Sequence, residues 1–344
     1  MAFDKYSGKG LTGLGNLGNT CFLNSTMQIL SHTYEINDLL NSDNFKANLN
    51  KCPETILLIE WNKLREMMWK ENCKISPGGF VQAVQKVAHH KDRDIFTGYA
   101  QNDLPEFFLF IIEAFHKALE REVSMNIRGE AENSQDELAI KCYNMFKTIY
   151  EKEYSEFIKL FYGIQISIVR NTKGEILSSH PEPVGLINLP LPTGKRNIDL
   201  MDCFDLYTTK EKLDGDNQFF NDKTNEKEDA TREILFWNLP DILVVDLKRF
   251  DNRNRKNNAL VSFPLTGMNL DKYIKGYNKH TYTYDLYGIC NHSGGVMGGH
   301  YTAYVKNANG KWYHFNDTDV TVVSNLDSMI SQKAYSFFYR KKTS

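Results

Sequence analysis

The sequence of 344 residues has little that would mark an exported or membrane-bound protein. No apolar run approaches the roughly 20 residues a membrane helix needs. Met1 to Lys9 lack an apolar stretch, which argues against a secretory signal. The six cysteines, Cys21, Cys52, Cys73, Cys142, Cys203 and Cys290, are scattered, and no two form a C-x-x-C pair. A chain of this size needs no disulfide staples. The six read as reduced thiols in an intracellular compartment, cytoplasm or nucleus, and five of them as small buried apolar residues. An excess of one charge is also missing. The net charge of -2 predicts no bulk attraction to nucleic acid or to an anionic membrane. Lys248, Arg249, Arg253, Arg255 and Lys256 form a local basic cluster, which reads as a solvated loop rather than a nucleic-acid contact. Internal repeats and low-complexity tracts are absent.

What is present is material for a large core. Hydrophobic residues make up 41% of the chain, and 18 Tyr and 21 Phe supply area enough to offset chain entropy. The first 155 or so residues read as mainly helical. Turns rich in Gly and Asn lead into Phe22, Leu23, Met27, Ile29 and Leu30 at helical spacing. A second amphipathic helix spans 54–69, with Ile56, Leu57, Ile59, Leu64, Met67 and Met68 expected on its buried side. A third starts at Ser76-Pro77, with Ser76 as cap, and runs through Val87. A fourth starts at Asp103, with Glu106 three residues on as in a capping box and an apolar stripe from Phe107 to Leu119.

After about residue 160 the texture changes. Ile164 to Val169 alternates like a strand, four prolines punctuate 181–192, and 209–233 is charged like exposed hairpin loops. Ile242 to Leu247 reads as a buried strand. The last hundred residues read as antiparallel sheet, with an Asn-Gly hairpin signal at Asn307 to Gly310. A helical lobe followed by a sheet-rich lobe would bring one catalytic group from each to a cleft between them.

Gly13 to Gly18 matches G-x-G-x-x-G, but the residues before it, Asp4 to Gly10, are polar and no βαβ unit follows. A dinucleotide site needs that context. The following segment, Gly18-Asn19-Thr20-Cys21-Phe22-Leu23-Asn24-Ser25, fits a nucleophile better. Cys21 stands at the expected start of a helix, where unpaired N–H groups and partial positive charge favour thiolate and lower the pKa. The same N–H groups can hold a developing oxyanion. Asn16 offers a further amide donor there, or serves as a turn asparagine.

Near the other end, Gly298-Gly299-His300-Tyr301-Thr302-Ala303-Tyr304 starts a strand after a glycine-rich loop, with the glycines allowing close approach of another backbone. A Cys–His pair needs a third group to fix the imidazole. A loop of four residues at 307–310 sets His300 opposite Asp317, and a shift of one sets it opposite Asn316. Local reading leaves both open.

Together these segments resemble the ubiquitin-specific protease family of deubiquitinating enzymes. Gly15 to Ser25 resembles its cysteine box. Gly298 to Tyr304, with Trp312 and Phe315-Asn316-Asp317, resembles its histidine box. Gln101-Asn102-Asp103, Leu213 to Asn217 and Leu247-Lys248-Arg249-Phe250 recur between them in family order. The resemblance implies an α+β fold of the papain-like cysteine protease superfamily, with 1–344 a single catalytic domain. The thumb would span about 1–155, the fingers 156–240 and the palm 241–344. It implies cleavage after the C-terminal glycine of ubiquitin, with Cys21 as nucleophile and His300 as general base. Asn316 would orient His300, Asp317 would substitute or assist, and Asn16 would serve the oxyanion hole. Asp103 and Glu106 match positions that contact the basic ubiquitin tail, a role two acids one helical turn apart also suit physically, as they suit simple capping. Tyr301 would line the channel for the glycine pair or pack in the sheet. Ubiquitin and ubiquitinated proteins are the implied partners, with no nucleic acid, no membrane and a monomer expected.

Two departures stand out. Where many members carry two C-x-x-C pairs that bind zinc, this chain has Arg170, Lys173, Asn221 and Thr224, so no structural zinc and no cofactor are expected, and packing must hold the fingers. Pro105 interrupts the acidic block, in a first helical turn that tolerates proline.

Overall fold

The computed structural model describes residues 3–42, 45–98, 102–295 and 298–342, and the elements below are those of these residues. Gln101 of the expected motif lies outside them. Helices dominate up to residue 161 and strands thereafter. The helix Cys21–Ser31 is buried at every position and lies against the strand Gly298–Lys306. A helix covered on all sides belongs to the interior, and its run of Phe22, Leu23, Met27, Ile29 and Leu30 supplies the apolar surface for that place.

The helix Glu54–Lys70 buries Leu57, Leu58, Trp61, Leu64 and Met68, while Ile56 and Met67 are exposed, so its buried face differs from the one read in the sequence. Trp61 decides the rotation. Its indole packs against Phe80 and Phe115 of the helices Gly78–His90 and Leu104–Leu119. Burying an aromatic of that size outweighs burying Ile56 or Met67. The third helix starts at Gly78, not Ser76. Pro77 occupies the cap position, with no side-chain capping bond. The helix Leu104–Leu119 begins where expected and carries Pro105 in its first turn, but Asp103 makes no side-chain capping bond, so the expected capping box is not formed.

Eight strands among the described residues form the central sheet. Their order is Asp319–Val322, Trp312–Asn316, Gly298–Lys306, Thr283–Gly295, Ala334–Lys341, Ile242–Leu247 and Ile187–Leu189, with Met268–Asn269 pairing onto Thr283–Gly295. Alternation along these strands divides the core. Val244, Tyr287, Ala303, Phe315 and Phe338 pack toward the helices, whereas Val245, Leu286, Trp312, Phe337 and Tyr339 pack on the other side with Leu200 and Phe204.

A separate four-stranded sheet comprises Ile176–Val184, Gly163–Asn171, Ala230–Asn238 and Glu211–Leu213. Pro181 and Pro183 fall in its edge strand, where a missing N–H breaks no ladder. The segment 187–207, inside the span expected as fingers, joins the central sheet instead through Ile187–Leu189 and the helix Leu200–Tyr207. At the positions singled out for their lack of cysteine, Arg170 pairs with Glu233 at 3.5 Å and Asn221 donates to Glu228 at 2.6 Å.

Candidate active site

Gly13 is explained by the chain it crosses. A Cβ on Gly13 would lie 2.2 Å from the carbonyl oxygen of Thr318, and Leu14 N–H donates to the carbonyl of Asp317 at 2.9 Å. Gly13 thus lets the N-terminal loop pass against the turn that follows Asn316. From there the chain enters its helix at Cys21, with Thr20 in the cap position.

Cys21 is 2% exposed. The helix that Cys21 begins packs against the strand Gly298–Lys306, which brings the nucleophile candidate to the strand that carries His300. The expectation of a lowered thiol pKa does not hold. Burial pushes the Cys21 thiol up, and the nearby Asp317 carboxylate adds to the rise. The N–H groups of Tyr301, Phe22 and Cys21 itself pull the other way without prevailing. The helix-start effect is real, but desolvation outweighs it here.

His300 is half-buried on the adjoining strand, and its Nε2 lies 2.6 Å from Asn316 Oδ1. An amide oxygen only accepts, so Nε2 carries the proton of the neutral ring and Nδ1 keeps a lone pair. Neither register considered from the sequence occurs. Lys306 pairs with Trp312 and Ala303 with Phe315, so the loop runs from 307 to 311. Continued one step, this pairing sets Asn316 beside Thr302 and diagonal to His300 on the same sheet face, the geometry in which their side chains meet.

Asp317 points elsewhere. It adopts a left-handed backbone with φ of 49°. Its Oδ2 accepts from Asn16 Nδ2 at 3.0 Å and its Oδ1 from Asn24 Nδ2 at 2.7 Å. Asn16 in turn accepts at Oδ1 from Gly18 N–H at 3.1 Å and Thr20 N–H at 3.2 Å. The Asp317 carboxylate therefore fixes the loop ahead of Cys21 rather than the imidazole. Asn24 was missed in the sequence. The one signal for it was an amide one turn after Cys21, on a helix whose Phe22, Leu23, Met27, Ile29 and Leu30 mark it for the interior.

Gly299 is small for a local reason. A Cβ there would lie 2.3 Å from His292 Nε2, so the close neighbour is the next strand rather than a substrate backbone. Tyr301 is 5% exposed, with its hydroxyl donating to Asp103 Oδ1 at 3.3 Å, and Tyr335 donates to the same oxygen at 3.1 Å. Burial of the carboxyl raises the Asp103 pKa, against the hydrogen bonds from Tyr335 and Tyr301, which lower it, while the residue as a whole stays exposed. Glu106 lies exposed one turn on. The basic cluster is not all solvated, as was expected. Arg249 is 1% exposed, with Nε on the carbonyl of Ala334 and Nη1 on those of Asn257 and Ala259, and Lys256 reaches the carbonyl of His292.

Among the described residues, one group of His and carboxylate side chains is close enough to hold a metal ion, namely His116, Glu120 and Glu153. Lys117 Nζ already sits 2.8 Å from both carboxylates, so they have their cation.

A cysteine at the head of a buried helix, set against a sheet that carries a histidine bonded to an asparagine, defines the chain as a papain-like α+β protein. Comparison with known proteins narrows this. The family model described as "Ubiquitin carboxyl-terminal hydrolase" matches residues 12–339, and the chain belongs to that family. It is 34% identical over 346 residues to human ubiquitin carboxyl-terminal hydrolase 2, covering 97% of this chain and 55% of that protein. It is 28% identical to ubiquitin carboxyl-terminal hydrolase 4 of Saccharomyces cerevisiae, covering 96% of this chain and 39% of the relative. The chain thus spans about half the length, or less, of such relatives. Among solved structures, a SAGA DUB module of Ubp8, Sgf11, Sus1 and Sgf73 bound to monoubiquitin matches with a TM-score of 0.74 and 25% identity, over 97% of this chain and 70% of that one. The same module bound to ubiquitin aldehyde shares the fold, with a TM-score of 0.73 over 100% of this chain and 72% of that one.

Proposed function

We propose that the chain is a deubiquitinase that hydrolyses isopeptide or peptide bonds after the C-terminal glycine of ubiquitin. The observation that carries this is the His300–Asn316 bond at 2.6 Å on a strand packed against the helix that Cys21 begins. Family membership and a like-folded neighbour bound to monoubiquitin support the substrate class.

In this reading Asn316 holds Nε2–H, and His300 Nδ1 takes the Cys21 proton as sulfur attacks the glycine carbonyl. Asn16 spends one amide N–H on Asp317 and turns the other to the oxyanion, together with backbone N–H groups at the helix start. His300 then protonates the leaving lysine amine, and water releases ubiquitin from the thioester. Asp103 and Glu106 receive the basic tail, and Tyr301 lines its channel. The helical part serves as thumb, the four-stranded sheet as fingers and the central sheet as palm. Ubiquitin and ubiquitinated proteins are the partners.

Incubation with isopeptide-linked diubiquitin tests the reading. Monoubiquitin should accumulate with the chain as given and not with Cys21→Ala. Tight binding of ubiquitin without cleavage would instead mark an inactive ubiquitin-binding relative. Cleavage confined to another modifier's precursor would mark a protease for a different ubiquitin-like protein.

A further inference from the structure

The helix Ser134–Tyr150, the strands Gly163–Asn171 and Ile176–Val184, and the loop 274–279 border an open cavity of about 640 Å3 that shares no residue with the catalytic centre. Its walls are fastened to one another. Gln135 Nε2 donates to the carbonyl of Lys275 at 2.9 Å, and the Tyr277 hydroxyl donates to Asp136. Lys275 N–H donates to the carbonyl of Phe236 at 2.7 Å. A Cβ on Gly276 would lie 2.2 Å from the carbonyl oxygen of Trp237, so the loop is pressed onto the strand Ala230–Asn238. Lys141 Nζ donates to Ser179 Oγ at 2.8 Å and ties the helix to the edge strand. A groove built in this way exists before any ligand arrives, which spares a partner the cost of ordering it.

The lining gathers charge of one sign. Lys141 comes from the helix, Arg170 from the sheet, and Lys275 and Lys279 from the loop, with Glu137 the one acid among the lining residues. Arg170 shares the carboxylate of Glu233 at 3.5 Å. Among the described residues no carboxylate pairs with Lys141, Lys275 or Lys279, although the chain as a whole has a net charge of -2. The same groove presents apolar surface to water, since Tyr277 is 52% and Ile176 47% exposed. Like charges gathered without counter-ions repel one another, and exposed apolar side chains gain nothing from water. One ligand that brings both carboxylates and an apolar side chain answers both.

We propose that this groove docks an acidic segment of a partner protein, with carboxylates on Lys141, Lys275 and Lys279 and an apolar side chain against Ile176 and Tyr277. The proposal stands apart from the deubiquitinase reading, and either can fail alone. A nucleic acid fits the groove less well. Its affinity comes from many phosphate contacts and stacked bases, whereas the groove offers four cations, one exposed aromatic ring and a repelling charge at Glu137. Neither Cys21 nor His300 takes part, so the groove recognises a partner rather than a scissile bond. A protein that carries both ubiquitin and such a segment is then held at two points, which raises its apparent affinity without new contacts at the catalytic centre. The three lysines are exposed, so the attraction is screened and binding weakens as salt rises.

Fluorescence polarisation with a short fluorescein-labelled peptide, Glu residues around a central Leu-Phe pair, tests the site. The chain should bind it, and added sodium chloride should weaken the binding. Lys275→Glu combined with Lys279→Glu should lower the affinity roughly tenfold. Both side chains are exposed, so the variant should unfold at the temperature of the parent. If it does not fold, Lys275→Gln combined with Lys279→Gln gives the same comparison with a smaller loss. Arg253→Glu combined with Arg255→Glu, in the other basic cluster, should leave the affinity unchanged. Peptides with Gln for Glu, or with Gly for the Leu-Phe pair, should each bind more weakly. A photoreactive group in place of the peptide's Phe should crosslink within 134–141, 168–179 or 274–279. A parent that does not bind the peptide, equal affinity of the Lys275 and Lys279 variant and parent, an equal loss in the Arg253 and Arg255 variant, or a crosslink elsewhere overturns the site. A double-stranded DNA fragment that displaces the peptide and binds more tightly overturns the partner class and makes the groove a nucleic-acid contact.

Discussion

Replacing His300 with alanine should lower kcat on a ubiquitin substrate by roughly 10²- to 10⁴-fold, the range for loss of a positioned base. It should also change the shape of the pH profile. Burial and the Asp317 carboxylate keep the Cys21 thiol raised, so sulfur is protonated until a base removes its proton. In the alanine variant only the thiolate already present reacts, and that fraction grows about tenfold per pH unit below the thiol pKa. Residual activity should therefore climb steadily from pH 7 toward pH 10, while the parent reaches its plateau earlier. Were the helix start alone enough to ionise Cys21, the variant would show a flat profile. Steady-state assays on a fluorogenic ubiquitin amide across this range distinguish the two.

Exchanging the neighbours Asn316 and Asp317 for alanine should give losses of different kinds. Asn316 accepts from the imidazole, so Asn316→Ala frees the ring to rotate and to change tautomer. Its kcat should fall and its acidic pH limb should move. Asp317 instead gathers the amides of Asn16 and Asn24 and, through its backbone, the N–H of Leu14. Asp317→Ala should lower kcat by roughly 10²- to 10³-fold, the cost of losing an oxyanion donor, and weaken binding of ubiquitin aldehyde in step. The acidic limb should stay in place, because the imidazole partner is untouched. Asp317→Asn keeps one acceptor oxygen and should recover part of the rate. Removing this carboxylate also takes away one of the causes that raise the Cys21 pKa, so alkylation of Cys21 by iodoacetamide at neutral pH should speed up while ubiquitin turnover slows. That opposition separates a positioning role from general unfolding, which would expose every thiol. A larger kcat loss in Asp317→Ala, accompanied by a shifted acidic limb, would make Asp317 the orienting residue instead.

Much of this was legible in the sequence because strong local patterns agree with the tertiary structure. The apolar periodicity of Phe22 to Leu30, the strand Ile242–Leu247 and the His300 strand all fall where hydrophobic spacing placed them. The departures come from terms that a linear reading cannot weigh. Trp61 rotates its helix, because the partners that reward its burial, Phe80 and Phe115, lie on other elements. The Cys21 pKa is the balance of a local helix end against burial under a distant strand. One more residue in the 307–311 loop decides which of two adjacent polar side chains meets His300. Asp246 looked like part of an apolar run, and only the packing of the strand Ala334–Lys341 shows it as a buried carboxyl bonded by Ser336.

The central claim is that Cys21, served by His300, attacks the ubiquitin C-terminus. Reaction with ubiquitin bearing an electrophile in place of its terminal carboxylate, followed by intact-mass analysis, addresses it most directly. The account predicts one covalent ubiquitin per chain, attached at Cys21, lost in Cys21→Ala and strongly slowed in His300→Ala. Folded protein that stays unlabelled, or a label on any of the other five cysteines, would contradict it.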